Sequence, residues 1–357
     1  MRVLIIGSDF KSYNQSIAYA FHELGHHPIV SSFKNPLYLY DSYLWRILYK
    51  SINKLFKGYL YTFIMYICQN YNYRKISKYN FDMILFIRPD YFSLNFLKKI
   101  KLEWPKSFMS CWIMDAFKDL RNSEIEEKLK VFDHVFYYND QDKNILEKIN
   151  KSSSLLRMAY DDRYYVDKKK QNKKWKICFV GSLSKNRLEI LESLIEALNL
   201  YEEAIIIAGH NKGIPLYTRY KKNKISWLYK KNIIKNQELS HEEVCALYNN
   251  SEICINAHQH QNQGINPRFF EIAGSGAFQL LDLKLLSEDI IIGRDIIIYD
   301  GVDDLISKVS RYKDDENLFE RNRVSKNLYQ KVSSKHTFKD RALKIINHYN
   351  LRISKIN

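Results

Sequence analysis

The stretch Asp161-Asp-Arg-Tyr-Tyr-Val-Asp-Lys-Lys-Lys-Gln-Asn-Lys-Lys174, followed closely by Lys176-Ile-Cys-Phe-Val180, decides the architecture of this chain. Residues 161–174 carry almost no apolar pattern and read as a linker. Residues 176–180 form an apolar run short enough for a strand buried on both faces. To its right a strand–helix series continues. Arg187–Leu200 reads as a helix and Ala204–Ala208 as a strand ending at Gly209. Residues 240–249 read as a helix opened by Ser240, with Glu243 three positions on as a capping box. Ile253–Ala257 is a strand, Pro267–Ser275 a helix, Phe278–Leu281 a strand, and the chain is helical from about 302. To its left lies a first series with strands at 2–7, 28–33, 81–87, 108–114 and 133–138. Helices fall at 14–24, 94–100, 122–131 and 141–149, with Gly25 placed to end the first of them. Two such series call for two parallel sheets, each covered by helices on both faces. The expected fold is α/β: two doubly wound Rossmann-like lobes facing across a cleft, with a helical C-terminal tail. The expected domains are 1–165 and 166–335, with a final helix over 336–357 packing back on the first.

Composition excludes several classes. The 357 residues suit about two domains. With 27 Tyr, 19 Phe and 5 Trp the chain is too aromatic to be disordered. The cysteines Cys68, Cys111, Cys178, Cys245 and Cys254 are odd in number and form no CxxC pair, so neither a disulfide scaffold nor a zinc cluster is encoded. No signal peptide reads from Met1-Arg-Val-Leu-Ile-Ile-Gly7, and the longest apolar stretch, 59–68, falls short of the ~20 residues of a membrane span. A reduced cytoplasmic protein is expected.

The 56 Lys and Arg against 40 Asp and Glu leave a formal charge of +16. The charge suits a polyanionic partner but is spread along the chain without a long basic block. Residues 37–75 interleave aromatic and aliphatic side chains with Lys and Arg, and positions 45, 48, 52, 55 and 56 share a helical face. Such a helix either lies on an anionic membrane or packs its stripe on a sheet.

Ligands of open α/β sheets sit beyond the carboxyl ends of the strands. The chain has no dinucleotide fingerprint, Walker A loop, GxSxG elbow or HExxH motif. The informative run is Asn262-Gln-Gly-Ile-Asn-Pro-Arg-Phe-Phe-Glu-Ile-Ala-Gly-Ser-Gly-Ala277. Asn266 suits a helix N-cap and Pro267 the first helical position. The helix start offers free N–H groups, suited to phosphate. Arg268 adds a fork of cationic donors, and Glu271 follows three residues later on the same face. A carboxylate among Phe269, Phe270, Ile272 and Ala273 needs donors, which vicinal ribose hydroxyls would supply. The competing reading is a structural Arg268–Glu271 pair.

This run resembles the donor-binding motif of GT-B glycosyltransferases, and within the "group 1" enzymes it is most similar to their CgeB-like, spore-maturation branch. Phe179-Val-Gly-Ser182 with Arg187 resembles the first strand and loop of the donor lobe, and Asp300-Gly-Val-Asp-Asp-Leu305 a later strand-to-helix step. Lys335-His-Thr-Phe-Lys-Asp-Arg341 resembles the start of the closing helix, and Cys111-Trp-Ile-Met-Asp115 a Trp-x-x-Asp segment of the first lobe. The resemblance covers most of 175–345. It implies transfer of a sugar from a nucleotide-diphosphate donor, with Glu271 holding the ribose, Arg268 and Arg187 at the diphosphate, and Gly181 admitting close backbone approach. Gln263 stands where retaining members often carry a second glutamate, which leaves the stereochemical outcome open.

Asp115 ends a strand of the first lobe, as a general base, an acceptor ligand or a helix cap; Asp9 has the same ambiguity. His258 and His260 flank Gln259 and read as donor-pocket contacts or a polar loop, and His210 after Gly209 as a lining of the nucleotide pocket. The DxD run Asp140-Gln-Asp142 starts a helix and reads as a cap. No metal is expected, and the nucleotide sugar, UDP- or GDP-linked, is a co-substrate. The expected activity is glycosyl transfer to a glycan, glycolipid or protein in bacterial surface-glycan biosynthesis, with peripheral attachment to the inner face of the cell membrane and no nucleic-acid partner. The alternatives are a nucleotide-sugar epimerase of the same fold and a non-catalytic basic protein that binds nucleic acid or membrane.

Overall fold

The computed structural model describes the chain except residues 9–10, 34–50, 53–54, 56–58, 121–123, 169–172, 209–226, 259–263, 283–288 and 357. It forms two compact units, Met1–Met158 with Phe338–Asn357, and Ala159–Thr337.

The first unit runs β1 (Arg2–Ser8), α1 (Tyr13–Glu23), β2 (His27–Phe33), α2 (Tyr59–Ile76), β3 (Met83–Ile87), α3 (Leu94–Glu103), β4 (Phe108–Ile113), α4 (Ile125–Lys130), β5 (His134–Tyr137), α5 (Lys143–Ile149) and β6 (Ser153–Leu155). The second runs β7 (Trp175–Val180), α6 (Lys185–Ala197), β8 (Ala204–Ile207), α7 (Trp227–Lys230), β9 (Ile234–Lys235), α8 (His241–Asn249), β10 (Ser251–Asn256), α9 (Pro267–Gly274), β11 (Gln279–Leu281), β12 (Ile297–Ile298), α10 (Gly301–Tyr312) and α11 (Leu318–Lys335). Helix α12 (Phe338–Ile356) belongs to the first unit.

Each unit holds a six-stranded sheet, ordered β2-β1-β3-β4-β5-β6 and β12-β11-β10-β7-β8-β9, with every pairing parallel. Strands β3, β4 and β10 are buried at every position, as sheets covered on both faces require. In both sheets the first strand of the unit lies inside the order and the later strands run away from it in both directions. The order therefore reverses between β1 and β3 in one unit and between β7 and β10 in the other, where ligands of open parallel sheets bind.

The signals read from sequence have local causes here. Helix α1 buries Ile17, Ala20 and Phe21 and ends at Gly25, whose φ of 79° lets the His26 N–H reach back to Phe21 O at 3.0 Å. The Ser240–Glu243 capping box opens α8 with both hydrogen bonds made. The stretch read as a linker from 161 is in its first part a strap on the second unit. Tyr165 is buried with its hydroxyl 2.9 Å from His241 Nδ1, and the Lys168 N–H donates to Asn249 Oδ1 at 3.0 Å. Its polarity hid this because the strap anchors itself through hydrogen bonds.

Helix α2 is inverted. Its buried face carries Met65, Gln69, Asn72 and Ile76, and the two amides are satisfied by Ser93 Oγ (3.0 Å) and Ser31 Oγ (3.0 Å). Its aromatic and aliphatic side chains Phe63, Tyr66, Ile67 and Tyr71 point outward, each at least half exposed. Of the helical face read over 45–56, positions 45, 48 and 56 lie outside the described residues, while Leu55 is 78% exposed.

Candidate active site

Helix α9 opens as its sequence dictates: Asn266 Oδ1 accepts from the Phe269 N–H at 3.0 Å and Pro267 takes the first turn. The rest of the Asn266 side chain enters a chain of buried polar contacts. Its Nδ2 donates to Asn256 Oδ1 (2.8 Å) and lies 2.9 Å from His258 Nε2. Asn256 Nδ2 donates to Gln279 Oε1 (3.0 Å), and Gln279 Nε2 donates to Phe269 O (3.0 Å). His258 is held from the other side by Asp282, 2.6 Å from Nδ1, with a second 2.6 Å bond from the His258 N–H. An Nδ1–H tautomer satisfies both ring nitrogens: one donates to Asp282 and the other accepts from Asn266. The network ties the ends of β10 and β11 to the start of α9. His258 and Asn266, read as donor contacts, are thus engaged within the protein and fix where Arg268 stands.

Arg268 sits at the point where the sheet order reverses. Its Nη1 donates to Val180 O at the end of β7 (3.0 Å), and its Nη2 to Ala257 O just past β10 (2.9 Å). The guanidinium is not bonded to Glu271. It lies over the Phe179 ring, 5.1 Å from the centroid, and Arg187 lies over the same ring at 5.8 Å. Arg187 belongs to the first turn of α6, where Ser184 caps its N–H at 3.4 Å. Its Nη1 turns back to Ser182 O (2.9 Å) and Oγ (3.3 Å), and its buried Nε has no partner among the described residues. Burial, and then the charge of Arg268, pull the Arg187 guanidinium well below its usual range; burial also lowers Arg268, against the opposing fields of Tyr248, Glu271 and Asp282. Neither has a carboxylate partner among the described residues.

Gly181 follows β7 with φ 151°, and a Cβ there would lie 3.1 Å from Arg268 Nη1 and 3.3 Å from its Cζ. Its N–H is taken by Ile207 O at 2.9 Å. The missing side chain therefore leaves room for the guanidinium. Glu271 is 2% exposed one turn along α9, and its charge adds to burial in pushing the Tyr248 phenol up. On the far side of α9 the ring of Tyr160 lies over Gly274, where a Cβ would come within 2.4 Å of it.

The first unit presents a separate cluster. Arg88 follows β3 at φ 59° and pairs with Asp90 (2.9 Å) and Asp115, which follows β4. Burial raises the Asp115 carboxyl; Arg88 opposes that shift, and Asp90 and Asp119 add to it. Asp115 caps no helix: the Phe117 N–H behind it donates to Asp142 (2.9 Å). The DxD aspartates are engaged too, Asp142 in that bond and Asp140 in a fork with Arg157 (2.6 and 2.8 Å). Asn139, not an aspartate, caps that turn. Asp9, Gly209, His210 and Gln263 lie outside the described residues. Among the described residues no three His, Cys, Asp or Glu side chains gather as a metal would need.

Residues 187–347 match the family model described as glycosyl transferase-like, a span that includes Arg187, Arg268 and Glu271. No curated protein matches the chain. Among solved structures it is similar to sucrose-phosphate synthase from Thermosynechococcus elongatus, with 12% identity, a TM-score of 0.65, and 99% of this chain and 100% of that one covered. It is similar to a glycosyltransferase from Rickettsia africae, with 13% identity, a TM-score of 0.65, and coverage of 98% and 97%. It is also similar to an alpha-glucosyltransferase in complex with UDP-glucose and DNA containing an abasic site, with 12% identity, a TM-score of 0.65, and coverage of 98% and 99%. The chain shares the GT-B fold of these structures.

Sequence reasoning missed Arg88, Asn256, Gln279, Asp282 and Tyr299, the last just past β12 with its hydroxyl buried. A signal existed for three of them. Asn256 and Gln279 interrupt apolar strands, and Asp282 follows one, so each is a polar group whose burial needs a partner. Arg88 and Tyr299 carry no such mark.

Proposed function

We propose that this protein is a glycosyltransferase that moves a sugar from a nucleotide-diphosphate donor, UDP- or GDP-linked, to a glycan, glycolipid or protein acceptor in bacterial surface-glycan biosynthesis. The observation that carries this reading is the pair of buried guanidiniums over Phe179, without carboxylate partners among the described residues, where the second sheet reverses its order. Two buried cations, both lowered by burial and Arg187 also by the charge of Arg268, are stabilised by an arriving dianion. The donor diphosphate supplies that charge, and more of it accumulates as the glycosidic bond breaks. The α9 N–H groups add to the positive field. Glu271, buried on the same helix, accepts from the ribose hydroxyls. Asp115, with its carboxyl raised, serves the acceptor side as ligand or base. The UDP-glucose bound by the similar alpha-glucosyltransferase is consistent with this donor class.

The outward aromatic face of α2 supports attachment to an anionic membrane surface, where lipid-linked acceptors reside. Phe63, Tyr66, Ile67 and Tyr71 supply the apolar contact, and Arg74 and Lys75 end the helix with positive charge. No helix of the described residues is long and apolar enough to cross a membrane.

The test of the donor site is a pair of variants. Glu271→Gln keeps the shape and loses a charged acceptor, so donor affinity falls about ten- to a hundredfold. Arg268→Ala lowers the single-turnover rate more than donor binding. It also lowers the melting temperature, because Val180 O and Ala257 O lose their donors. Normal turnover by folded Arg268→Ala protein would overturn the assignment.

A further inference from the structure

Tyr299 follows β12, and its N–H donates to Leu281 O at 2.8 Å, which places it beside the end of β11. The residue is 2% exposed, and its hydroxyl is buried without a hydrogen-bond partner among the described residues. A buried orphan hydroxyl is a cost that a phenylalanine would avoid. The charged groups whose fields reach the phenol are Asp282, Arg268 and Arg187. Asp282 is already committed to the N–H and Nδ1 of His258. Arg268 and Arg187 are donors and offer nothing for an O–H to bond. Arg187 carries a second orphan in the same region, its Nε, which is again a donor. Burial pushes the phenol up, so it keeps its proton and its donor character at neutral pH.

Among the described residues these two donors have no acceptor, and the two cations beside them have no paired carboxylate, Asp282 and Glu271 reaching them through their fields alone. The missing group is an acceptor, and the field requires it to be negative. We propose that the Tyr299 hydroxyl and the Arg187 Nε–H are a matched pair of donors held for a phosphoryl oxygen of the ligand, which makes Tyr299 a further substrate-binding residue of this site. This rests on the reading of the site as a nucleotide-diphosphate site and adds to it. Diphosphate recognition extends beyond the arginines and the helix N-terminus to the end of β12, and it includes a neutral donor that discriminates phosphate from the rest of the nucleotide.

The experiment is calorimetric titration of UDP, GDP, their nucleosides and inorganic pyrophosphate into the full chain and into Tyr299→Phe and Arg187→Lys proteins. Tyr299→Phe keeps the ring and removes only the oxygen. It should weaken the diphosphate that binds by about ten- to a hundredfold, the scale of a hydrogen bond to a charged group. Pyrophosphate should weaken by the same factor, the nucleoside not at all, and the melting temperature should hold or rise. Arg187→Lys loses the Nε–H, and the double variant should lose less than the product of the single losses, because both groups bond one oxygen. Diphosphate binding by Tyr299→Phe at the unmodified strength overturns the proposal and leaves the diphosphate reading intact. An equal loss of nucleoside and diphosphate also overturns it, since that marks a structural role. If the unmodified protein binds none of UDP, GDP and pyrophosphate, the reading beneath it fails and the proposal fails with it.

Discussion

Replacing Gly181 by alanine adds one methyl group at the end of β7, and the structure says what it meets. The new Cβ would lie 3.1 Å from Arg268 Nη1, 3.3 Å from its Cζ and 3.5 Å from the Phe179 ring. The guanidinium must retreat by a few tenths of an ångström. It is held at 3.0 Å to Val180 O and 2.9 Å to Ala257 O, so retreat stretches at least one of these bonds. The φ of 151° is also one that a side chain rarely adopts, a strain of roughly 1–3 kcal/mol. At about 2–4 °C per kcal/mol for a unit of this size, the second unit should melt several degrees lower. Nucleotide-diphosphate affinity should fall about tenfold, or about 1.4 kcal/mol, because the displaced cation no longer faces the phosphate squarely. Gly25→Ala is the control. Its φ is 79° and nothing lies within 4 Å of its Cβ, so it carries backbone strain alone and should leave binding unchanged. Differential scanning calorimetry with UDP and GDP titrations on both variants measures each term. Unaltered affinity in Gly181→Ala would refute the claim that this glycine exists to seat Arg268.

Three other outcomes are expected. Nucleotide-diphosphate binding should survive EDTA, since the proposed site meets the phosphates with Arg187, Arg268 and the start of α9; calorimetry with and without chelator checks this. The protein should float with anionic vesicles at low salt, and Phe63→Ser/Tyr66→Ser should release it; absence from the lipid fraction would remove the membrane role of α2. Stability should fall as pH drops below about 6.5. His134, between Ser152 and Ser154 and 4.1 Å from the His348 ring, is held down to about 3 by burial and by that neighbour. Its neutral form is the native one, so the unfolded chain takes up protons first and stability drains between about pH 6.5 and 3. By pH 5 the loss is about 2 kcal/mol, and melting curves of His134→Gln should be flatter over that range.

The long strands and their helices were legible because burial on both faces leaves an unbroken apolar run. The start of α9 was legible because Asn266-Pro267 is a local instruction that needs no tertiary partner. The strands at 153–155, 234–235 and 297–298 were not, since two or three residues hold no period and pair only because a neighbouring strand is already in place. The partners of Arg268 were hidden for a different reason. Val180 lies 88 positions away, and only the placement of β7 beside β10 makes its carbonyl the one to reach. Sequence spacing offered Glu271 instead, because it knows only the helix. Helix α2 misleads in the opposite sense: hydropathy buries its aromatics, while the fold buries Gln69 and Asn72 and satisfies them with serines.

A single physical pattern then separates scaffold from site in the second unit. Around α9, the polar groups that hold the backbone in register are mutually satisfied: Asp282 with His258, His258 with Asn266, Asn266 with Asn256, Asn256 with Gln279. The groups left over are alike in kind. Among the described residues, Arg187 Nε, Tyr299 Oη and Tyr248 Oη are buried donors without acceptors, and Arg187 and Arg268 are cations without a paired carboxylate. A scaffold selected for stability alone would fill such positions with apolar side chains or give them carboxylates, since buried unpaired charge is among the costliest features of a fold. The persistence of Arg187, Arg268 and Tyr299 together along the strand ends of the second sheet is what the proposed site requires, with the ligand supplying the missing half of each interaction.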